Sequence, residues 1–279
     1  MPNIKTVLLN EIYLQCRIEM HIILIFAVNK KPMKNILIIT DNACIAERFE
    51  KAVLSIVKYN DIEIRFCCSP FSNKKDFKNL NCDVRVADLR DKNTIESLIL
   101  SKDLILSIHC KQIFPKLLVN SVKCINVHPG YNPINRGWYP QVFAIIKDLD
   151  IGATIHEIDE YLDHGAIIAR AKVEKFEYDT SLSLYNRVVE KELELLMDNI
   201  DSIFNNTYDL FSPEEEGELN LKKDFSSMCE LDLDEQLSMR DALKRLRGLS
   251  HGDYMNAYYI DNVGNKIYVV LKTIYETKG

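Results

Sequence analysis

The sequence predicts an α/β protein with a Rossmann-like, mostly parallel sheet and helices on both faces, followed by a small C-terminal helix and β-hairpin. Three observations predict it. From Met33 onward, short apolar runs alternate with segments whose apolar residues recur at helical spacing. The first of them, NILIIT, is apolar throughout rather than alternating, as a strand buried on both faces must be. After the polar stretch 212–219 there remain only one clear helix and two strands joined by a glycine-containing turn, too little to bury a core alone.

In order, NILIIT (Asn35 to Thr40) is the first buried strand. DNACIAERFEKAVLSIVKY follows as a helix with Ile45, Phe49, Val53 and Val57 on one face and Asp41 or Asn42 as its cap. DIEIRFCCS is the next strand and DVRVADL a shorter one. NTIESLIL reads as a helix opening on Asn93 or Thr94, DLILSIH as a strand, FPKLLVN as a short helix, and KCINVHP as a strand stopped by Pro129. Ligands of such sheets bind beyond the carboxyl ends of the strands, which directs attention to the loops after Ile108 and Val127. PQVFAIIKDLD is helical, with Pro140 in a permitted first-turn position. GATIHEID and AIIARAKV are strands joined by EYLDHG. SLSLYNRVVEKELELLMDNIDSIF is a long helix with Leu184, Val188, Leu195 and Ile203 inward and Glu190, Lys191 and Glu194 outward. SMRDALKRLRGL is a Ser-capped helix, and MNAYYIDNVGNKIYVVLKTIY a hairpin turning at Asn262 to Asn265.

The expected organisation is therefore an N-terminal extension (1–32), a catalytic domain (33–211), a linker (212–219) and a C-terminal unit (220–279) that packs on the main domain or on a second copy. Met33 reads as the natural start, with the extension taking no catalytic part. The alternative is an extra amphipathic element or a weak membrane contact through HIILIFAV (His21 to Val28). That run is far shorter than the roughly 20 residues that span a bilayer. It lacks a basic leader, and Glu11 and Glu19 precede it, so it does not read as a signal peptide.

Composition narrows the classes. The 279 residues are 47% hydrophobic and 27% charged, enough to bury a core, which excludes a mostly disordered chain. Mean hydropathy of -0.12 excludes an integral membrane protein. The net charge of -6 disfavours a protein whose task is gripping nucleic acid. The eight cysteines (16, 44, 67, 68, 82, 110, 124 and 229) form no CxxC pair, and most fall in apolar runs. They read as buried, reduced thiols rather than metal ligands or disulfides, which points to the cytoplasm. Neither GxGxxG nor GxxxxGK[ST] is present, so standard dinucleotide and P-loop readings fail.

The chemistry concentrates in INVHPGYNPINRGWYP (Ile125 to Pro140). Asn126 and His128 are two apart on a strand, so they face one way, and Pro129-Gly130 ends the strand beside them. A carboxamide can stabilise a developing oxyanion while an imidazole moves a proton near neutral pH. Taken alone, such a pair is more often a satisfied strand-end histidine. Further on, Asp163 in Leu-Asp-His-Gly can reach across to His128 and fix its tautomer or relay a proton; taken by itself, such an Asp more often serves turn chemistry.

Together, NVHPGYNPINRG and GATIHEIDEYLDHGAII resemble the signature of the folate-dependent formyltransferases, over about Met33 to Phe211. The resemblance implies that Asn126, His128 and Asp163 are the catalytic residues, 10-formyltetrahydrofolate the donor, a primary amine the acceptor, and no metal. The family's usual Leu-Asp-Thr-Gly is Leu-Asp-His-Gly here, leaving Asp163 in place and changing its neighbour to His164. LILSIHCKQIFP is similar to a stretch of the sugar N-formyltransferase branch. It implies a donor site at Ser107, His109 and Cys110, with Asp159 and Leu162, and a substrate site at Lys111 and Gln112. Lys111 and Arg136 are the cationic candidates for a diphosphate, weighed against ordinary surface placement. Tyr131, Trp138, Tyr254 and Tyr258 can stack on a base or line the sugar site, although bare aromatics are more often core. LSHGDYMNAYYIDNVGNKIYVV is similar to the C-terminal hairpin of the same branch and implies a homodimer.

The implied function is formyl transfer to a dTDP-linked amino-dideoxy sugar, foremost dTDP-4-amino-4,6-dideoxyglucose, in O-antigen or other surface polysaccharide synthesis. No nucleic acid or membrane partner is expected. The other readings are a methionyl-tRNA formyltransferase, which should carry a larger C-terminal barrel and a basic surface, and a catalytically silent folate- or nucleotide-sugar-binding module.

Overall fold

The computed structural model describes residues 32–276, and the extension's apolar run and Cys16 lie outside the described residues. A seven-stranded sheet organises the main body. Its strands are β1 (Asn35–Thr40), β2 (Glu63–Cys68), β3 (Arg85–Val86), β4 (Leu104–Ile108), β5 (Lys123–His128), β7 (Gly152–Glu157) and β8 (Ile167–Lys172). They run in the order β3-β2-β1-β4-β5-β7-β8. The pairs from β3 to β5 are parallel; β7 and β8 are antiparallel to their neighbours.

β1 shows why its run is apolar throughout. Ile36 and Ile38 enter one core, against Phe49 of α1 (Ala43–Leu54) and Ile200 of α5 (Ser181–Phe204). Leu37 and Ile39 enter the opposite core, against Ile95 of α2 (Lys92–Ser101) and Leu118 of α3 (Lys116–Val119). Each such side chain contributes roughly 1.5–3 kcal/mol by leaving water.

Several boundaries differ from expectation, each for a local reason. α1 ends at Leu54, so Val57 falls in the following 3-10 turn rather than on the helix. α2 opens on Asp91 rather than Asn93 or Thr94, because the Asp91 carboxylate accepts the Thr94 N–H at 2.8 Å. Cys44 is exposed on the solvent side of α1, whereas Cys67, Cys68, Cys124 and Cys229 are buried. The end of the acidic linker is a strand: β9 (Glu218–Asn220) pairs in parallel with β6 (Asn135–Gly137). Glu190 and Glu194 face solvent as expected, while Leu195 is only half-buried.

The C-terminal segment holds α6 (Lys222–Cys229), α7 (Met239–Leu249) and the hairpin β10 (Ala257–Ile260) and β11 (Lys266–Val269). Ser238 caps α7 by accepting the Asp241 N–H. The segment packs on α4 (Pro140–Ile146) through Val142, Cys229, Leu249 and Ala257. Gly248 permits the close approach, since a Cβ there would lie 2.7 Å from Ile146. Among the described residues no helix is long and apolar enough to cross a membrane.

Candidate active site

Where the sheet changes from parallel to antiparallel pairing, one face turns polar. Ser107 on β4 is in register with Asn126 on β5, and Asn126 with His156 on β7; one step on, His128 is opposite Thr154. These residues sit at the carboxyl ends of β4 and β5, where side chains of this sheet type meet ligands.

The hydrogen bonds assign the protons. His156 Nδ1 donates to the Glu157 carbonyl at 2.7 Å, which leaves Nε2 to accept from Asn126 Nδ2 at 3.3 Å. Asn126 Nδ2 also donates to Asp163 Oδ1 at 3.1 Å. His128 Nε2 donates to the Asn135 carbonyl at 3.3 Å, so its Nδ1 lone pair faces Asp163 Oδ2, 3.5 Å away. Two acceptors at that separation form a place for a proton, or for an N–H of a bound ammonium. Gly130 allows this packing, because a Cβ there would lie 2.3 Å from His128 Nε2.

Asp163 is held from several sides. Its backbone is left-handed at φ 48, its Oδ2 accepts the Gly137 N–H at 3.1 Å, and its carbonyl accepts from Asn132 Nδ2 at 2.9 Å. Burial by itself would raise its carboxyl, but His128, His156 and the Gly137 N–H outweigh it and bring it down to about 2. Burial pushes His128 below the ordinary imidazole value, more than the neighbouring Asp163 charge restores. The site therefore holds a neutral imidazole beside an ionised carboxylate, a combination able to take up a proton.

A cavity of about 430 Å³ opens over these groups. Ser107, His109, Cys110, Lys111, Gln112, Trp138, Asp159 and Leu162 line it together with Asn126, His128 and Asp163. Some have their polar groups committed elsewhere. Gln112 accepts from Leu89 N–H at 2.9 Å and donates to the Ala87 carbonyl at 2.8 Å, which anchors its loop. Lys111 donates its backbone N–H to Asp41 at 2.6 Å and keeps its side chain exposed. The Cys110 thiol is pushed up to about 12 by burial and is no nucleophile.

Four residues expected at the substrate site do not line this cavity. Tyr131 turns to β8, where Arg170 and Lys172 sit over its ring at 4.7 and 5.3 Å. Arg136 is buried beneath the linker and pairs with Glu216 at 2.6 Å, in an adjoining cavity of about 180 Å³ that also touches Asp163 and His164. Tyr254 is exposed and stands two rings away, edge-on to His251, which in turn is edge-on to Tyr185 of the cavity wall. Tyr258 lies in β10 and packs against the Val142–Leu249 core. His164 bridges Asp159 at 2.5 Å and Glu216 at 2.9 Å; these acids, Asp159 foremost, raise its imidazole. Sequence reasoning passed over His156, Tyr185 and Glu192; for Glu192 the available signal was a carboxylate in an apolar helical stripe.

Residues 23–200 match the family described as formyl transferase, and residues 224–276 match the N-formyltransferase dimerization C-terminal domain. Over 190 residues the chain is 47% identical to a dTDP-4-amino-4,6-dideoxyglucose formyltransferase of Mycobacterium tuberculosis, covering 67% of this chain and 77% of the relative. The chain belongs to the formyl transferase family, as a sugar N-formyltransferase. A 4-N formyltransferase from Francisella tularensis superposes with TM-score 0.82 at 43% identity, over 87% of this chain and 99% of that one. A sugar N-formyltransferase from Shewanella sp. FDAARGOS_354 gives TM-score 0.82 at 36% identity, over 88% of this chain and 99% of that one. The expected fold class of this formyltransferase thus stands, and the family match begins at residue 23, inside the stretch read as an extension.

Proposed function

We propose that the enzyme transfers a formyl group from 10-formyltetrahydrofolate to the amine of a dTDP-linked amino-dideoxy sugar, with dTDP-4-amino-4,6-dideoxyglucose as the acceptor. The observation that carries the reading is the neutral His128 beside ionised Asp163, with Asn126 bonded to the same carboxylate, on the wall of a ligand-sized cavity. The 47% identity to an enzyme named for that sugar supports the acceptor. The donor suits the cavity: Phe114, Val127, Ile158 and Leu162 give apolar walls for a flat heteroaromatic.

The acceptor amine reaches the site as an ammonium. Its N–H groups fit between His128 Nδ1 and Asp163 Oδ2, and His128 takes the proton that frees the nitrogen lone pair. The nitrogen then attacks the formyl carbon. Asn126 turns one amide N–H from His156 or Asp163 toward the formyl oxygen as negative charge gathers there. The bond from carbon to the donor nitrogen breaks as that nitrogen receives a proton from His128. One further proton per turnover leaves for solvent, which balances the starting ammonium. The Asn135 carbonyl orients the neutral His128 ring, and Asp163 stabilises its imidazolium between these steps.

Val263, Tyr268, Val270 and Ile274 are exposed apolar residues of the C-terminal segment, and we read them as the contact of a homodimer. The seven described cysteines are free thiols, in keeping with work in the cytoplasm on precursors of O-antigen or another surface polysaccharide. The test is mass spectrometry of the sugar nucleotide after incubation with both substrates. A gain of one formyl mass, lost with His128→Ala, is expected. Absence of product with this sugar, its 3-amino isomer and a UDP-linked amino sugar would overturn the reading.

A further inference from the structure

α5 carries a carboxylate where its apolar stripe should continue. Leu184, Val188, Leu196 and Ile200 are buried, and Glu192, one turn beyond Val188, is only 1% exposed. Glu192 Oε2 accepts from His109 Nε2 at 2.7 Å, while Oε1 has no hydrogen-bond partner. The other ring nitrogen of His109 accepts from the Tyr185 hydroxyl at 3.2 Å, and that hydroxyl accepts from Asn42 Nδ2 at 3.2 Å. One proton order satisfies the chain from amide to hydroxyl to imidazole to carboxylate, and Glu192 is its acceptor-only end.

Such an arrangement is poor for stability. A buried carboxylate with one oxygen unsatisfied forfeits hydration that a single hydrogen bond does not restore. A neutral or apolar side chain would serve the core better. What the carboxylate does hold is the His109 ring. His109 is left-handed at φ 56, directly after β4, and it opens the 109–114 loop that walls the cavity. A non-glycine residue keeps that conformation only where its surroundings over-determine it.

We propose that Glu192 is a positioning residue for formyl transfer: by holding the His109 ring against α5, it sets the turn that lays the 109–114 loop along the donor's side of the cavity. This rests on the reading of that wall as the folate site. The same carboxylate also acts on His128, whose charged form it favours alongside Asp163 and the Asn135 carbonyl, while His156 opposes it. His109 itself is faced by Glu192 and Tyr185 from α5, and Asn42 reaches Tyr185 from the β1–α1 turn.

The experiment uses the full chain and Glu192→Gln, with 5-formyltetrahydrofolate binding by calorimetry, steady-state kinetics and thermal melting. The expected result is an equal or higher melting temperature, donor KM and folate Kd raised about tenfold, and acceptor KM and kcat much less changed. The acid limb of kcat/KM should move to lower pH, because removing the negative charge disfavours the His128 imidazolium. His109→Gln should raise donor KM similarly, and the double variant no further than either single one. If Glu192→Gln does not fold, the His109→Gln donor KM decides alone. An unmoved donor KM in a folding variant, or additive effects in the double variant, would overturn the proposal while leaving formyl transfer intact. A wild type that neither binds folate nor transfers formyl would overturn this proposal together with the reading it rests on.

Discussion

The two halves of the sheet use the same pairing rules for opposite ends. Between β1 and β4 the partners are apolar against apolar: Ile36 with Leu104, Leu37 with Ile105, Ile38 with Leu106. All six are at most 2% exposed, and both faces of the layer are closed by helices. Between β5 and β7 one face still follows that rule, with Val127 opposite Ile155 in the core. The other face sets Asn126 against His156 and His128 against Thr154. That polar row is tolerated because most of it is hydrogen-bonded, through Asp163, the Asn135 and Glu157 carbonyls and the Gly130 carbonyl on Thr154, while His128 Nδ1 is left facing Asp163 Oδ2. The apolar half supplies stability and a rigid edge; the polar half spends some of it to fix three side chains in a reactive geometry.

Asp163→Asn is the largest expected break in this contrast. It keeps the shape of the loop but removes the charge beside His128, and kcat should fall by about 10³-fold, within the range for acid–base partners. Product formation followed by mass spectrometry checks it. Asn126→Ala comes next, at about 10²-fold in kcat, the scale of one lost oxyanion donor. A fall of less than tenfold in single-turnover rate would remove Asn126 from that role. On the apolar half the signature reverses. Ile38→Ala should cost about 2–5 kcal/mol in denaturant unfolding while the rate per folded molecule stays near wild type.

The smallest effect is a pH dependence. Burial lowers His128, so the folded state stays neutral at a pH where the unfolded chain, near 6.5, takes up a proton. Stability therefore declines as pH falls below about 6.5. The acid limb of kcat/KM should accordingly lie below 6.5, and a limb above it would mean that desolvation does not govern this histidine. Asp163 acts in the same direction at lower pH. Its contribution is full above its unfolded value, near 3.9, and is lost as pH falls through about 2.

Much of the contrast could be read without coordinates, and its limits are physical. Continuous apolar runs marked β1, β4 and β5 because burial on both faces leaves no alternation. Strand parity with Pro129-Gly130 placed Asn126 and His128 on one face at a strand end. Asp163 needed the family resemblance, since a lone Asp in a turn carries no address. His156 was out of reach because it meets Asn126 only through the β5–β7 register, a contact 30 residues apart in the chain. Tyr131 and Arg136 lie close in sequence to His128, but the loop and β6 turn them toward β8 and the linker. The linker itself looked featureless because acidic composition conceals the short β9 pairing. Glu192 is the opposite case: its helical position should be apolar, and the mismatch was visible in the sequence as a local conflict.

The proposed chemistry resides on the polar face of β5 and β7. The most direct measurement is the rate of formyl transfer per folded molecule in His128→Ala, with its melting temperature recorded on the same sample. A fall of about 10³-fold or more is expected in a protein that still melts cooperatively, at a temperature lowered by the lost packing and hydrogen bond. A rate within tenfold of wild type, with the fold intact, would contradict it.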